Sequence, residues 1–477
     1  MSQVTPLTRW AFSAGGLSST GIVSNGIDYF LLFFYSQIIG LSPALTGIAL
    51  AIALGFDAVS DPLIGYVSDN WRSKLGRRHP FMYASIIPMT VLYVIIWFPP
   101  VGASQAVLFS FLLVIIVLLR LSMTLFDVPF WGLLAELTTD YDERTQLSSR
   151  YIAASWIVSS IMSIAMYSYW LSDSPVYPNG ELNMAGYQEA AVVGAVIILM
   201  SLVFSVGGMH PEIPNLRKRT KGVPRGLGPF FASISRLLRN PSLRALLLSG
   251  IVRNAGWGTT AALWIYQHSA FYGLNSDQMS VLIFVQLAAI LILVPVVKAV
   301  TGRGEKKRTT IVLLAITALV SLLVPSLMIV GVLPERGSRE LVGVLMVNDF
   351  LRLLVYQVAV AFIYSLFADV TEDIELQTNE RMESAIFAAS TFIQKSSIGL
   401  GALIAGLLLA AIDFPTMEDG VEVQETTLNM LGLGYGGVWA VCVAISIWLI
   451  SGYRITRASH NAEVETLEIR NPTDLPD

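Results

Sequence analysis

The sequence consists largely of apolar runs, each close to the ~20 residues that a helix needs to cross the hydrocarbon core of a bilayer. These runs recur from one end of the 477-residue chain to the other, and charged residues make up only 13% of it. Lipid offers the backbone no hydrogen-bond partners, so runs of this length must be helical. The sequence therefore predicts an all-α polytopic membrane protein.

Twelve spans are predicted, and an even number places both termini on one side of the membrane. Basic residues decide which side, because cytoplasmic loops are enriched in Lys and Arg. Of the 30 basic residues, 24 lie in the termini or in loops on the same side, and two, Arg336 and Arg339, lie on the opposite side. Both termini are therefore predicted to be cytoplasmic. The spans are 12–36, 44–68, 81–100, 106–136, 151–171, 186–207, 243–267, 278–299, 309–331, 340–368, 383–412 and 430–453.

The longest polar stretch between spans divides six spans from six. Short basic loops, WRSKLGRR between spans 2 and 3 and TGRGEKKRTT between spans 8 and 9, occupy equivalent places on either side of it. Two related halves would leave this pattern, and so would the ordinary enrichment of cytoplasmic loops in basic residues. We predict an N-terminal six-helix bundle (1–207), a cytoplasmic central loop (208–242), a C-terminal six-helix bundle (243–453) and a cytoplasmic tail (454–477).

Ionisable side chains are rare inside spans and usually face a cavity or a partner. Asp349 and Arg352, three residues apart in span 10, are expected to satisfy each other, and Asp28 in span 1 indicates no definite role. The six that stand out are Asp28, Asp57, Asp61, Asp127, Asp349 and Lys395.

Asp57 and Asp61 lie four residues apart in span 2, so their carboxylates share a helix face. Two such charges at low dielectric cannot both stay ionised without a counter-charge. Either one carboxyl is protonated or a cation lies between them, and Ser60 adds a hydroxyl oxygen beside the pair. The alternative is a structural pair bridged to a basic residue on a neighbouring helix. The first two possibilities are those of an ion-coupled protein.

Span 4 contains the sequence RLSMTLFDVPFW. Thr124 and Asp127 are three residues apart and share a face, to which Trp131 adds an indole that can stack against a sugar ring. Arg120, two turns before Asp127, is a candidate counter-ion for any of these acids. Pro129 removes a helix hydrogen bond and can free a carbonyl. An interfacial or lipid-facing Trp131 is the alternative to the sugar platform.

Lys395 lies near one end of span 11, in a stretch of small residues that permits close helix packing. A buried ammonium needs a carboxylate partner or loses its proton, although a lysine near a span end can also reach out to the interface. We assign Ser390 and Thr391 of the same span to the candidate substrate site.

Taken together and in this order, three groups of residues are highly specific. They are DAVSDPLIG followed by RSKLGRRHP, DVPFWGL followed by DYDERTQLSSR, and ADVTEDIELQTNERMES followed by FIQK. Over nearly its whole length the chain resembles the glycoside–pentoside–hexuronide:cation symporters, the melibiose-permease-like branch of the major facilitator superfamily. The resemblance implies two six-helix bundles around a substrate cavity, working by alternating access.

The resemblance also implies roles for individual residues. Asp57, Ser60, Asp61 and Thr124 match the family's cation site, with Na⁺ or H⁺ as the coupling ion and Na⁺ expected at Asp57 and Asp61. Asp127 lies between the cation and sugar sites, and we include it in both. The other positions that match contacts with the sugar or a link between the halves are Trp131, Arg150 and Lys395.

Two positions depart from the melibiose-type pattern. Gly21 stands where those members carry an acidic residue, and Val360 stands where they carry an aromatic one. Both positions contact sugar in that type, so their loss leaves the cation site intact and opens an alternative. The branch also resembles transporters of lysophospholipids, and a lipid-like or other non-sugar solute is the second hypothesis.

Opposite charges on loops that face the same compartment suggest a cytoplasmic gate, with topology alone as the alternative. The basic residues are Arg72, Lys74, Arg77 and Arg78, and the acids are Asp369, Glu372, Asp373 and Glu375.

Other classes of protein are less consistent with the sequence. It carries four histidines, no paired-His metal motif, no G-x-S-x-G and no Walker A motif, so we do not expect an enzyme or a cofactor beyond the coupling ion. A non-transporting sensor with a transporter fold remains possible. The expected partners are a small solute, the coupling cation and the lipid bilayer, with no nucleic acid. The chain is expected to be a monomer in the plasma membrane, the inner membrane of a bacterium.

Overall fold

The computed structural model describes residues 4–138, 141–216, 239–301, 304–378, 383–416, 423–456 and 459. Every regular element in these ranges is a helix, as predicted. The α-helices are α1 (Pro6–Gly16), α2 (Pro43–Asn70), α3 (His79–Ile95), α4 (Gln105–Leu137), α5 (Tyr141–Ala165), α6 (Met184–Met209), α7 (Pro241–Ala262), α8 (Ser276–Leu291), α9 (Leu293–Val300), α10 (Lys306–Ile329), α11 (Arg339–Thr378), α12 (Glu383–Ala411) and α13 (Glu425–Ser451).

Each of the twelve predicted spans coincides with helix in the described residues. By length and composition, seven helical stretches there can cross a membrane, and two shorter apolar helices accompany them, His79–Ile95 and Ser397–Ala411. Span 8 is divided between α8 and α9.

The first span contains π-helical turns, which the apolar pattern does not predict. After α1 come three π-helical segments, Leu17–Val23, Gly26–Leu31 and Phe34–Ile38. Glycines allow this span to approach its neighbours closely, because a Cβ at Gly16 would overlap the carbonyl of Tyr151 on α5. π-Helical turns occur frequently at functional sites.

The chain divides into two compact units. Unit 1 comprises Met1–Gly228, Ala261–Ile283 and Ala402–Leu428, and unit 2 comprises Pro229–Thr260, Phe284–Gly401 and Asn429–Asp477. Unit 1 therefore contains the first six spans together with two segments from the second half of the sequence. The predicted division into two six-helix bundles stays a prediction.

Unit 2 is built around an aromatic core. Trp257 stacks on Tyr356 with 5.2 Å between ring centroids, and Tyr356 meets Trp439 edge-on at 5.2 Å. Val360 packs against this core. Gly401 lets α12 contact α7 backbone to backbone, which confirms the close packing expected from the small residues of span 11.

Candidate functional site

The two acidic residues of span 2 lie on α2, which packs against α4 in unit 1. Asp57 and Ser60 are buried, with exposed fractions of 7% and 3%. Asp61 is half-buried. Thr124 of α4 donates a hydrogen bond from Oγ1 to Asp61 Oδ1 at 2.7 Å. The same hydroxyl lies 3.5 Å from Ser60 Oγ, so Thr124 of α4 contacts the face of α2 that carries the acidic residues.

Arg120, also on α4, is the cation nearest to this pair in the described residues. Its Nη1 lies 3.6 Å from Asp57 Oδ2, and both side chains are almost fully buried. The same guanidinium acts electrostatically on Asp28 of the first span. The predicted counter-ion role of Arg120 is therefore confirmed for Asp57. A buried carboxylate with an arginine partner avoids most of the energetic penalty of an isolated charge.

Asp127 lies one turn beyond Thr124 and is also buried, with 4% of it exposed. Its Oδ2 accepts a hydrogen bond of 2.9 Å from Ser19 Oγ, in the first π-helical segment. Ser19 was not predicted to have a role, although the run Ser18-Ser19-Thr20 interrupts an otherwise apolar span. One face of α4 thus connects the pair on α2 to the first span.

Trp131 continues this face of α4 and is 36% exposed. Its ring meets Tyr151 of α5 edge-on at 4.8 Å and Phe12 of α1 at 6.2 Å. The Tyr151 hydroxyl shares a hydrogen bond of 2.8 Å with Thr20 Oγ1. The indole therefore lies against α1 and α5, on the side of α4 that also carries the Asp127–Ser19 contact. The role of Trp131 as a substrate platform stays a prediction, and the sequence did not indicate Tyr151 or Thr20.

The two departures from the melibiose-type pattern have structural explanations. At Gly21 a Cβ would overlap Val158 Cγ1 on α5, so this position cannot carry a carboxylate without repacking. Val360 belongs to the apolar packing of unit 2. In place of the missing helix-1 acid, this chain offers the hydroxyls of Ser19 and Thr20 close to α4 and α5.

The structure gives less information about the remaining predicted substrate residues. Arg150 is exposed on α5, and Ser390 is half-buried on α12. The side chains of Thr391 and Lys395 lie outside the described residues, although both belong to α12. Their roles stay predictions.

The predicted gate residues form ion pairs inside their own units. Arg77 and Arg78 both contact Glu136 Oε1, through Nη2 at 2.6 Å and Nε at 2.5 Å respectively, and Arg78 Nη2 lies 3.1 Å from Asp69. In unit 2, Lys306 Nζ lies 2.6 Å from Asp369 Oδ1.

Among the other gate candidates, Asp373 Oδ2 accepts a hydrogen bond of 2.7 Å from Asn240 Nδ2. Arg72 and Lys74 are exposed, and the side chain of Glu375 lies outside the described residues. The gate stays a prediction.

Asp349 and Arg352 form the expected pair on α11, with 3.7 Å between Oδ1 and Nε. This contact accounts for two of the charges inside the spans. Within the described residues, no group of three or more His, Cys, Asp or Glu side chains is placed to hold a metal ion.

The sequence matches the family described as MFS/sugar transport protein over residues 12–457, and the chain belongs to this family of the major facilitator superfamily. It is 27% identical to an uncharacterized symporter of Synechocystis sp., over 97% of this chain and 96% of that one. It is 24% identical to the isoprimeverose transporter of Lactiplantibacillus pentosus, over 89% of this chain and 83% of that one.

A third relative is the sodium-dependent lysophosphatidylcholine symporter 1-A of Danio rerio, 23% identical over 98% of this chain and 90% of that one. Among solved structures, a bacterial homologue of the human lysosomal transporter Spinster has a TM-score of 0.64 at 12% identity, over 97% of this chain and 99% of that chain. The fold and the family predicted from the motifs are thereby confirmed, and the protein is a multi-pass membrane transporter.

A glycine on α4 allows a test of the arginine–acid cluster, which consists of Arg77, Arg78, Asp69 and Glu136. Arg78 Nη1 occupies the place of a Cβ at Gly132, so Gly132→Ala should displace the guanidinium from the buried Glu136. We expect a loss of about 1–3 kcal/mol, the usual consequence of disturbing a buried charged contact, measured as a lower apparent melting temperature. Gly65→Ala is the matched control, because a Cβ there would make an ordinary 3.5 Å contact with Val128.

A double-mutant cycle gives the decisive comparison. If Gly132 acts through Arg78, the melting temperature of Gly132→Ala with Arg78→Ala should match that of Arg78→Ala alone. Additive losses would show that Gly132 acts through other contacts.

Proposed function

We propose that this protein is a secondary active symporter that couples the movement of a sugar or glycoside to a cation, Na⁺ or H⁺, by alternating access. The observation that carries the proposal is the acidic pair on α2, with Asp57 buried and Asp61 half-buried, linked through one face of α4 to Asp127 and Trp131. The cation site and the substrate site are thereby parts of one helix packing arrangement. The names of the relatives agree with this class, since they include an isoprimeverose transporter and a sodium-dependent symporter.

The donor set suits a monovalent cation. Carboxylate oxygens of Asp57 and Asp61 and hydroxyl oxygens of Ser60 and Thr124 are hard ligands, and hard cations take oxygen ligands. Either Na⁺ between the carboxylates or a proton on one of them would relieve their repulsion. Both events would compete with the Arg120 guanidinium, which lies 3.6 Å from Asp57. We therefore propose that Arg120 compensates Asp57 when the coupling ion is absent.

Coupling follows from the position of Asp127. Its carboxylate accepts a hydrogen bond from Ser19 in the present state, and a sugar hydroxyl could replace that donor. Cation binding at Asp57 and Asp61 would shift α4 through Thr124, which lies one turn from Asp127. Lys395 remains our candidate for the link from the second half of the chain. Such coupling is reciprocal, so substrate must raise cation affinity by the factor by which the cation raises substrate affinity.

A sugar is the preferred substrate class. An exposed indole beside hydroxyl and carboxylate groups can stack on a sugar ring and bind its hydroxyls, as Trp131 and its neighbours would. The family description names sugar transport. A lysophospholipid-like solute is the second candidate, supported by the Danio rerio relative and by the missing acidic residue at Gly21.

The membrane orientation belongs to the same proposal. The distribution of basic residues supports cytoplasmic termini, and the bacterial relatives support insertion in a bacterial inner membrane. We propose that the transporter works as a monomer and catalyses no covalent reaction.

Neutralising the acidic pair tests the cation site. Asp57→Asn and Asp61→Asn should each abolish cation-stimulated solute uptake into vesicles, because neither amide can balance a cation. Asp277→Asn, at an exposed position after the seventh span, is the control and should transport normally. Full Na⁺- or H⁺-driven accumulation by either of the first two variants, at equal expression, would refute the site.

A second variant tests the bridge between the sites. Asp127→Asn should lose substrate binding at least about tenfold, the effect of ~1.4 kcal/mol or more, yet retain cation binding at Asp57 and Asp61. Calorimetry on the purified protein measures both affinities. If Asp127→Asn binds substrate as the wild type does, still enhanced by the cation, Asp127 is a structural acid.

A further inference from the structure

A buried acid lies outside the spans, on the side of the membrane opposite to the predicted side of the termini. Glu181 belongs to the short 3₁₀ helix Gly180–Leu182 between α5 and α6, and only 3% of it is exposed. Its backbone is held in place, because Gly180 N–H donates to Asp173 Oδ1 at 3.1 Å and a Cβ at Gly180 would overlap the carbonyl of Leu171. Glu181 therefore cannot leave its position without movement of the whole loop.

Residues from the second half of the sequence lie next to this acid, within unit 1. The π-helical segment Tyr266–Phe271 follows α7, and its Ser269 hydroxyl acts on the Glu181 carboxyl. The same segment is attached to the first span, because the hydroxyls of Tyr266 and Ser36 share a hydrogen bond.

Two further contacts join these parts of unit 1. The ring centroids of Trp264 and Tyr167 lie 5.5 Å apart, and Ser276 Oγ lies 3.4 Å from Asp173 Oδ1. The loop that carries Glu181 is thus in contact with residues from the second half of the sequence, within unit 1.

The surroundings of Glu181 suit a neutral carboxyl better than a carboxylate. Its Oε1, the hydroxyls of Tyr167 and Tyr187 and both amide atoms of Gln267 are buried and make no hydrogen bond in the part of the chain that the structure describes. Besides Asp28, Tyr177 and Glu189, the titratable groups on its own loop and on the elements packed around it are Asp173, Tyr29, Tyr35, Tyr167, Tyr169, Tyr187, Tyr266 and His268.

None of these residues is a lysine or an arginine. The Nδ1 of His268 lies 2.8 Å from the carbonyl of Trp264, and Asp173 would repel a second negative charge. A carboxylate at Glu181 would therefore lack a strong counter-charge, and a buried charge without one is expensive.

We propose that Glu181 is a proton-binding site of the outer gate, which takes up one proton from solvent when the loop at Gly180–Leu182 closes on Tyr266–Phe271 and returns it on opening. The inference rests on the alternating access of the proposed function and adds a proton to its conformational step. The proton enters as a carboxyl hydrogen on Glu181 and leaves to water, so no other reactant is needed.

The direction of the pH dependence follows from burial. Desolvation raises the pKa of Glu181 from 4.5 to about 7 in the closed state, with Asp173 adding to the rise, while its own backbone and Ser269 lower it. When the gate opens, the carboxyl should regain its ordinary pKa. The closed state then binds more protons between these two values and loses stability as pH rises through about 7. From pH 5.5 to 8.5 the ratio of open to closed protein should rise about 30-fold.

Electron paramagnetic resonance distances test this without substrate, Na⁺ or transport. Spin labels would be placed at Val101→Cys and Val332→Cys, which are exposed in loops on the predicted outer side, in a Cys442→Ala background. In lipid nanodiscs at low salt, the fraction of long distances should increase from pH 5.5 to 8.5. Glu181→Gln should remove this dependence and keep the gate closed at pH 8.5, because the amide is neutral at every pH.

Three variants complete the test. Ser269→Ala removes a hydrogen bond that favours the carboxylate, so the midpoint should move to higher pH. The control Glu335→Gln, an exposed acid in a loop on the same predicted side, should retain the wild-type response. His268→Gln should also retain it, since histidine is the other side chain here that ordinarily titrates near neutral pH.

Three outcomes would overturn the proposal. They are a wild-type distance distribution that does not change with pH, a full response in Glu181→Gln, and loss of the response in His268→Gln alone. Each leaves cation-driven uptake untouched, so failure here is distinguishable from failure of the symport itself.

Discussion

The arrangement of this transporter depends on the cost of holding two carboxylates in a helix bundle surrounded by lipid. Asp57 and Asp61 share one face of α2, where Asp57 is buried and Asp61 is half-buried. A site of this kind is tolerable only when something positive, or a proton, compensates the charge. In the present structure Arg120 lies beside Asp57, and Thr124 donates to Asp61. We attribute the retention of the pair to a coupling ion that can replace the arginine.

Helix α4 is the element that turns this local compensation into a possible mechanism. It supplies the arginine, the threonine, the acid that accepts from Ser19, and the indole that packs against Tyr151. Because these groups share one helix, a change of partner at Asp57 would act on the same helix that carries the proposed substrate platform. The arginine–acid cluster around Glu136 holds the far end of that helix.

The sequence predicted the spans and the main acidic site because both follow from local rules. Apolar run length determines a membrane helix, and a spacing of four residues places Asp57 and Asp61 on one face. Contacts between distant parts of the chain could not be predicted in this way. Nothing in the sequence pairs Ser19 with Asp127 or Arg77 with Glu136, since those partners are 108 and 59 residues apart.

Two features were missed for related reasons. The π-helical turns of the first span depend on close packing against neighbouring helices, which an apolar pattern does not specify. Glu181 was not singled out from the sequence, because its neighbours include Ser269, more than eighty residues later in the chain. Gly21 shows the opposite case, in which the sequence revealed a missing acid and the structure explained it by the close approach of Val158.

The most direct test of the central claim is the Na⁺ affinity of Arg120→Gln, measured by calorimetry at a pH where carboxyls are ionised. If Arg120 and the coupling ion compete for Asp57, removing the guanidinium should raise Na⁺ affinity, by about tenfold or more for the loss of ~1.4 kcal/mol of competing interaction. Asp57→Asn in the same background should abolish the gain. An Arg120→Gln variant that is folded but binds Na⁺ no better than the wild type would contradict the exchange of arginine for cation on which the account rests.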